Sequence, residues 1–209
     1  MIQAPSIVPT QARRIGVLGG AFDPPHTAHV ALARTALSEL HLDELRVVPT
    51  GQAWHKQRPL SAAQHRLAMT QLAFSGVPKV VVDACEIGRP GPSYTVDTLR
   101  EVESHSGAAE LFLILGADQA RALPSWHAWE EVLRLATICV AERPDSMHPD
   151  ARFVAPPGQE SRFLRLHLPP MSVSASEIRS RIATQQDLAP LVLDCVARYI
   201  ELHHLYQTT

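Results

Sequence analysis

Cysteine is scarce in this sequence, and the few cysteines form no pattern. Cys85, Cys139 and Cys195 lie far apart among the 209 residues, and no CxxC pair occurs. A small secreted fold that is held together by disulfides normally shows many cysteines at close spacing. The cysteine content therefore favours a reduced, cytoplasmic protein.

Long apolar runs are also absent. No run approaches the roughly 20 apolar residues that a membrane-spanning helix needs. Residues 1–12 lack the basic stretch and the following apolar stretch of a signal peptide, and they contain Pro5 and Pro9. We therefore expect no membrane partner, a loose N-terminal arm over residues 1–12, and a single domain over residues 13–209, a length that allows a sizeable core.

An excess of positive charge is lacking as well. The formal net charge is −2, whereas proteins that bind nucleic acids usually carry a basic surface. Two nucleotide-binding patterns are missing, since neither GxGxxG nor GxxxxGK[ST] occurs. These absences argue against a nucleic-acid partner, a dinucleotide-dependent oxidoreductase of the usual type and a P-loop kinase.

The most informative stretch that is present runs from Arg13 to His29. A short apolar strand, Ile15 to Leu18, leads into Gly19 and Gly20, and a turn at Asp23-Pro24-Pro25 precedes a helix with apolar residues at helical spacing. Free N–H groups at a helix N-terminus after a glycine turn form a site for an anion such as phosphate. The same arrangement is common in α/β proteins without a ligand. His26 and His29 could also bind a metal, although the nearby sequence offers no third ligand with suitable spacing.

A second informative stretch runs from Ser172 to Arg179. Ser174 and Glu177 have the spacing of a capping box at a helix start. Arg179 in the first turns opposes the helix dipole by roughly 0.3–1 kcal/mol, and a bound anion would remove that conflict. The hydroxyls of Ser174 and Ser176 are close enough in sequence to contact the same anion.

Four shorter segments have both a structural and a functional interpretation. The loop Thr50–Pro59 carries His55 and Lys56, which either bind an anion or are simply solvated. Ser93-Tyr94-Thr95 reads most simply as a helix cap. Asp118, after Gly116 at a strand end, either caps a helix or faces a ligand. Trp126 and Trp129 lie three residues apart, on one face of a predicted helix, and serve either in the core or in stacking on a flat ring.

The alternation of strands and helices predicts the α/β class. Apolar runs predict strands near Leu45–Pro49, Lys79–Asp83, Leu111–Leu115 and Thr137–Val140. Such alternation implies a parallel sheet with helices on both faces. We further predict a helix capped by Ser61, a surface loop over Asp145–Gly158, an edge strand in Arg162–Pro169, and a helix over the final stretch Leu188–Tyr206.

At these motifs the sequence resembles a known family. Gly19 to His29 is similar to the GGxFDPxHxGH signature of the nucleotidyltransferase superfamily, with Ala28 in place of the last glycine. Ser172 to Arg179 is similar to the superfamily's ISSTxIR or ISATxIR motif, with Val173 in place of isoleucine and Ser176 in place of threonine. The SYTxDTL run from Ser93 and the segment from Gly116 to Trp129 resemble nicotinate-nucleotide adenylyltransferases in particular.

The resemblance implies a Rossmann-like nucleotidyltransferase fold and a reaction. ATP and nicotinate mononucleotide would be the partners, deamido-NAD and pyrophosphate the products, and Mg²⁺ the phosphate-bound cofactor, with no metal ligand assigned to a side chain. His26, His29 and Arg179 would stabilise charge on the phosphates. ATP would contact Gly19, Gly20, Phe22, Asp23, Ser174, Ser176 and Arg179, and the mononucleotide would contact His55, Lys56, Ser93, Tyr94, Thr95, Gly116, Asp118 and Trp126.

Several alternatives stay open at this point. The same chemistry could act on nicotinamide mononucleotide, which differs from the acid by one group. Transfer to phosphopantetheine is disfavoured by the Ser93–Thr95 and Trp126 segments. A non-catalytic nucleotide sensor would keep the fold without turnover. The sequence does not determine the oligomeric state, and a homo-oligomer is compatible with it.

Overall fold

A computed structural model describes residues 12–52, 59–142 and 153–207. In these residues six strands form one sheet in the order β3-β2-β1-β4-β5-β6, and every neighbouring pair is parallel. The predicted parallel sheet is confirmed, and Phe163–His167 is the predicted edge strand. The strands are β1 (Arg14–Gly20), β2 (Glu44–Pro49), β3 (Val80–Val82), β4 (Glu110–Gly116), β5 (Ala136–Glu142) and β6 (Phe163–His167).

Helices cover both faces of this sheet. In the described residues they are α1 (Thr27–Glu39), α2 (Ala63–Phe74), α3 (Cys85–Gly88), α4 (Thr95–Ser106), α5 (Ala117–Ala122), α6 (Trp129–Leu135), α7 (Ala175–Ala183) and α8 (Asp194–Leu202). Short 3₁₀ turns lie at Leu123–Ser125 and Glu160–Arg162. None of the helices in these ranges is long and apolar enough to cross a membrane.

The core consists of two apolar clusters, one on each face. Along β4, Phe112 and Ile114 belong to the cluster beneath α1, α2, α7 and α8, whereas Leu111, Leu113 and Leu115 belong to the cluster beneath α4, α5 and α6. Successive strand residues point to opposite faces, so a strand covered on both sides must be apolar throughout. This is why the central strands read as continuous apolar runs.

The strand order reverses beside β1, because β2 and β4 pair with opposite edges of that strand. Chain connections on the two sides of such a switch point run to opposite faces, which leaves a crevice at the carboxyl ends of the strands. Gly20 ends β1 and Gly116 ends β4, so both glycine turns noted in the sequence lie at this crevice.

Four local predictions were wrong. Ser61 does not cap α2, whose N-cap is Ala62. The helix α4 does start at Thr95, as expected, but its N-cap is Tyr94 and no side chain caps it, so Ser93-Tyr94-Thr95 is not a capping sequence. The predicted final helix is shorter than expected, since it begins only at Asp194 and ends at Leu202. Trp126 and Trp129 do not share a helix, since Trp126 is extended and α6 starts at Trp129 after Ala128, which has φ of 51°.

Two further predicted segments lie partly outside the described residues. The predicted N-terminal arm falls on residues 1–12, of which 1–11 lie outside the described residues. The predicted surface loop over Asp145–Gly158 is described only from Phe153 onward, where it leads to the 3₁₀ turn before β6.

Candidate functional site

A cavity of about 440 Å³ lies in the crevice beside β1 and β4. Both glycine turns and both sequence motifs contribute to its wall. The lining residues are Val17–Ala21, His26, Ala28, His29, Leu32, Val48, Thr50, Glu86, Ser93–Thr95, Thr98, Leu113–Gly116, Gln119, Trp126, His127, Ala141, Leu168, Pro169, Met171 and Val173–Ala175. The cavity thus joins segments as far apart in sequence as Val17 and Ala175, which is how a parallel sheet assembles a site.

The two histidines of the first motif are held against each other at the start of α1. His26 is the N-cap residue, and its backbone N–H donates a hydrogen bond of 3.2 Å to Nδ1 of His29. Their rings are stacked with centroids 3.7 Å apart. Since Nδ1 of His29 accepts, Nε2 of the neutral ring carries the proton and is a donor. The motif therefore presents a hydrogen-bond donor at a helix N-terminus, where an anion is favoured.

Phe22 and Asp23 are buried behind the histidines and do not line the cavity. The Phe22 ring packs edge-on against His29 at 5.0 Å, and Phe22 adopts a left-handed φ of 46°, which is uncommon for a bulky residue. The Asp23 carboxylate accepts a hydrogen bond of 2.7 Å from the hydroxyl of Tyr206 and one of 3.3 Å from the backbone N–H of Ser61. Burial raises the pKa of Tyr206, so its hydroxyl remains a donor. These contacts fix the shape of the loop between β1 and α1, residues 21–26, which we call the histidine loop.

Arg66 is the most deeply buried charged side chain near the cavity, with 1% of its surface exposed. It donates hydrogen bonds to the carbonyls of Ser61 at 3.0 Å, Ala21 at 3.1 Å and Gly51 at 3.2 Å. Burial lowers the pKa of Arg66, and the nearby Asp23 raises it. One guanidinium thus joins the histidine loop to Gly51 and Ser61, which lie on both sides of the segment 52–60, and satisfies a carbonyl in each of the three places.

The second motif contacts the first. Ser174 caps α7 by accepting a hydrogen bond of 3.2 Å from the backbone N–H of Glu177, as predicted. The Glu177 side chain instead pairs with Arg181 at 2.8 Å, so only half of the expected capping box forms. Arg179 donates to the backbone carbonyl of Asp23 at 2.8 Å and to the Ser176 hydroxyl at 3.0 Å. Arg179 therefore bridges the two motifs, and Ser174 is the hydroxyl that lines the cavity.

The part of the cavity wall on the α4 and α6 face of the sheet carries aromatic rings, and we call it the aromatic end. It is lined at the start of α4 by Ser93, Tyr94 and Thr95. The ring centroids of Tyr94 and His127 are 4.4 Å apart. Both Trp126 and Trp129 pack against the core cluster on this face, but of the two only Trp126 also lines the cavity. This end thus offers flat surfaces and hydroxyls instead of the histidine pair.

Of the remaining predicted residues, three glycines line the cavity, one aspartate does not, and two residues lie outside the described ranges. Gly19, Gly20 and Gly116 line the cavity. The Asp118 side chain is 92% exposed and forms an ion pair with Arg121, so the structure does not bring it to the cavity. His55 and Lys56 lie outside the described residues.

Sequence reasoning missed several polar residues of the wall. Glu86, Thr98 and His127 line the cavity, and Glu86 and Thr98 are 7% and 1% exposed. Glu86 lies on α3, a helix of four residues that is too short to show a periodic pattern. Among the residues that the structure describes, no group of three or more His, Cys, Asp or Glu side chains is arranged to hold a metal ion.

Sequence comparisons find a family model and relatives that match most of this chain. Residues 17–181 match a family model described as cytidylyltransferase-like. The chain is 61% identical over 196 residues to a probable nicotinate-nucleotide adenylyltransferase of Albidiferax ferrireducens, with 94% of this chain and 99% of that protein covered. It is 45% identical over 202 residues to a protein of the same description from Methylibium petroleiphilum, with 93% and 92% covered.

Solved structures agree with the fold. A Plasmodium falciparum nicotinic acid mononucleotide adenylyltransferase complexed with NaAD superposes with a TM-score of 0.73 at 20% identity, with 93% of this chain and 97% of that chain covered. The same enzyme complexed with APC gives a TM-score of 0.73 at 19% identity, with the same coverage. The sheet and its helices therefore form the Rossmann-like nucleotidyltransferase fold that the sequence predicted.

Proposed function

The chain belongs to the cytidylyltransferase-like family, among the nicotinate-nucleotide adenylyltransferases, and we propose that it transfers AMP from ATP to nicotinate mononucleotide. The products would be deamido-NAD and pyrophosphate, as in NAD biosynthesis. The observation that carries this proposal is the cavity itself, which has the stacked histidines and Ser174 at one end and Tyr94, Thr95 and Trp126 at the other. Since both substrates are small intracellular metabolites, we propose a cytoplasmic location.

The proposed chemistry needs no protein nucleophile. The phosphate of nicotinate mononucleotide attacks the α-phosphorus of ATP in line, the new P–O bond forms as the bond to the β-phosphate oxygen breaks, and pyrophosphate leaves. The protein then contributes orientation of the two phosphates and stabilisation of the charge that develops on them. Nε2 of His29 is the donor best placed for this role, because His26 fixes its ring and tautomer.

The triphosphate would lie against the two motifs. The N–H groups at the start of α1 and α7 favour an anion between them, and Arg179 links these two starts through Asp23 and Ser176. Phe22 and Asp23 would act from behind the loop, as they are buried. We assign the triphosphate contacts to Gly19, Gly20, His26, His29, Ser174, Ser176 and Arg179.

The pyridine ring would lie at the aromatic end. A flat partner such as Trp126 contributes about 0.5–1.5 kcal/mol by offset stacking on another ring. The Thr95 hydroxyl is then a donor for the ring's carboxylate, and Ser93, Tyr94 and Gly116 complete the wall. His55 and Lys56 are proposed as further contacts to the mononucleotide, on the resemblance alone.

Mg²⁺ fits this site as an ion carried by the nucleotide. Glu86 is the one carboxylate among the described lining residues, and it already accepts hydrogen bonds from the protein. Phosphate oxygens and water are hard ligands that Mg²⁺ prefers, so the triphosphate would hold it. When bound there, the ion would neutralise part of the phosphate charge.

Ala28 replaces a glycine of the motif at a position in the wall. It is partly buried, packs against the core and lines the cavity at the same time. Because its methyl group already has core contacts, we propose that α1 accommodates it and that ATP still binds.

Release of pyrophosphate tests the proposal. The protein is mixed with ATP and Mg²⁺ and given nicotinate mononucleotide, nicotinamide mononucleotide or phosphopantetheine in parallel, with a reaction lacking the acceptor as the control. We expect the highest kcat/KM with the acid. Preference for the amide would keep the chemistry and overturn the specificity, and release with none of the three would favour a nucleotide sensor.

A further inference from the structure

Glu86 is a buried acidic residue in the cavity wall that the proposed reaction does not use. It lies on α3, between β3 and the Ser93–Thr95 segment, with 7% of its surface exposed. A carboxylate so far from water needs several donors around it, because an unpaired buried charge is strongly destabilising. The identity of those donors indicates what Glu86 does.

The donors come from two separate segments of the cavity wall. The Thr98 hydroxyl in the first turn of α4 donates a hydrogen bond of 2.8 Å to the Glu86 carboxylate. The Ser93 hydroxyl and the backbone N–H of Gly51, which follows β2, also bond to it. Burial raises the pKa of Glu86, and the bonds from Thr98 and Ser93 offset only part of that rise. Glu86 therefore joins the start of α4 to the start of the loop that follows β2.

Gly51 fits closely between the backbone of Glu86 and the side chain of Arg66. Its carbonyl accepts from Arg66 at 3.2 Å, and Arg66 also bonds the carbonyl of Ala21 in the histidine loop. A Cβ atom on Gly51 would lie 2.0 Å from the backbone oxygen of Glu86, which is an impossible contact. The neighbouring Gln52 donates its N–H to the Ser93 hydroxyl at 3.2 Å. The aromatic end of the cavity, around Ser93, and the phosphate end, around His26 and His29, are thus connected through one glycine.

We propose that Glu86 is a positioning residue for the acceptor nucleotide, which holds Ser93, the start of α4 and the residues Gly51 and Gln52 in the geometry that binds the pyridine ring. The inference rests on the proposed function in taking the acceptor to be a pyridine mononucleotide. Glu86 acts through Ser93, Thr98 and Gly51, so its loss should affect the acceptor more than ATP, whose motifs lie on the other side of Arg66.

Two substitutions and one matched control test this role. Glu86→Ala removes every bond of the carboxylate. Glu86→Gln keeps the shape and one acceptor oxygen, so it should restore part of the effect. Glu101→Ala is the control, because Glu101 pairs with Arg89 in the same region, is partly exposed and does not line the cavity.

Steady-state kinetics with both substrates give the first readout. We expect Glu86→Ala to raise KM for nicotinate mononucleotide by about tenfold, since small misplacements of binding groups have large effects, and to change KM for ATP by less than about twofold. Glu86→Gln should fall between that variant and the wild type, and Glu101→Ala should match the wild type. An equal rise in both KM values, or no change in either, would overturn the proposal.

Amide hydrogen exchange gives a second readout that does not depend on turnover. The amides of Gly51 and Gln52 should exchange faster in Glu86→Ala than in the wild type and keep their protection in Glu101→Ala, while peptides from β4 should not change in either variant. If the wild type releases no pyrophosphate with any acceptor, the proposed function fails and the exchange result decides on Glu86. Unchanged protection at Gly51 and Gln52 would overturn the positioning role, and exchange that rises throughout Glu86→Ala would mark a global loss of stability and count against it too.

Discussion

The two ends of the cavity are built in different ways. The phosphate end comes from two contiguous stretches, residues 19–29 and 174–179, each of which leads directly into a helix N-terminus. The aromatic end is assembled from separate pieces around Gly51, Glu86, Tyr94 and Trp126. A site made of contiguous stretches can be read from local patterns, whereas a site made of separate pieces depends on which buried side chains join them.

Both ends rely on buried polar groups, but with different consequences. At the phosphate end Asp23 and Arg66 sit behind the wall and fix the shape of the loop. At the aromatic end Glu86 belongs to the wall itself. Substitutions of Asp23 or Arg66 should therefore act mainly on folding, and substitutions of Glu86 should act mainly on binding of the acceptor.

The largest effect should come from the phosphate end. Replacing His29 by alanine removes the fixed Nε2 donor, and loss of one such donor typically lowers kcat by about 10²-fold or more. The measurement is kcat for pyrophosphate release with saturating ATP and nicotinate mononucleotide. His105→Ala serves as the control, because His105 is exposed at the end of α4 and outside the cavity. An unchanged kcat in His29→Ala would remove His29 from the catalytic set.

The junction between the two ends should be intolerant of any side chain. Gly51→Ala places a methyl group against the backbone oxygen of Glu86, and overpacking of this kind typically lowers the free energy of unfolding by about 1–3 kcal/mol. Denaturant unfolding measures the change. A Cβ at Gly76 has no neighbour within 4 Å, so Gly76→Ala is the matched control. Equal stability of the two variants would mean that Glu86 and Gly51 are not packed as described.

The smallest effect should come from the aromatic end. Trp126→Leu keeps an apolar side chain and loses the flat face, so binding of the pyridine ring should weaken by about 0.5–1.5 kcal/mol, or roughly two- to tenfold in KM for nicotinate mononucleotide. KM for ATP should stay the same. Trp129→Leu is the matched control and should leave both KM values unchanged, since Trp129 packs against the same core cluster but does not line the cavity. If Trp126→Leu changed both KM values together, the two ends would not be separate in function.

Much of the fold was predictable because its signals are local. The continuous apolar runs from Ile15 and Leu111 identified buried parallel strands, and the glycines after them marked the crevice. Two of the failures occurred where a side chain took a partner other than the one that its motif indicates. Ser93 has the chemistry of a cap, but its hydroxyl bonds to Gln52 and Glu86 instead. The Glu177 side chain likewise pairs with Arg181 in place of completing the capping box.

The candidate site was predictable to a similar degree. Gly19, His26, His29, Tyr94 and Trp126 were all expected at one site, and the structure places them around one cavity. Asp118 was expected there as well, but its side chain lies in solvent beside Arg121. Glu86 gave no signal, because its importance comes from donors 12 and 35 residues away in sequence, Thr98 and Gly51.

The sequence by itself determined the strands, the two helix N-termini that favour an anion, and the residue types that chemistry on phosphates requires. These follow from apolar periodicity, glycine turns and motif spacing, all of which act over a few residues. Only the tertiary structure decided that Arg179 bridges the two motifs, that Asp23 is bound by Tyr206, and that Gly51 is held between Arg66 and Glu86. A buried polar group takes whichever partner the packing of distant segments brings within hydrogen-bond distance, and no local pattern records that choice.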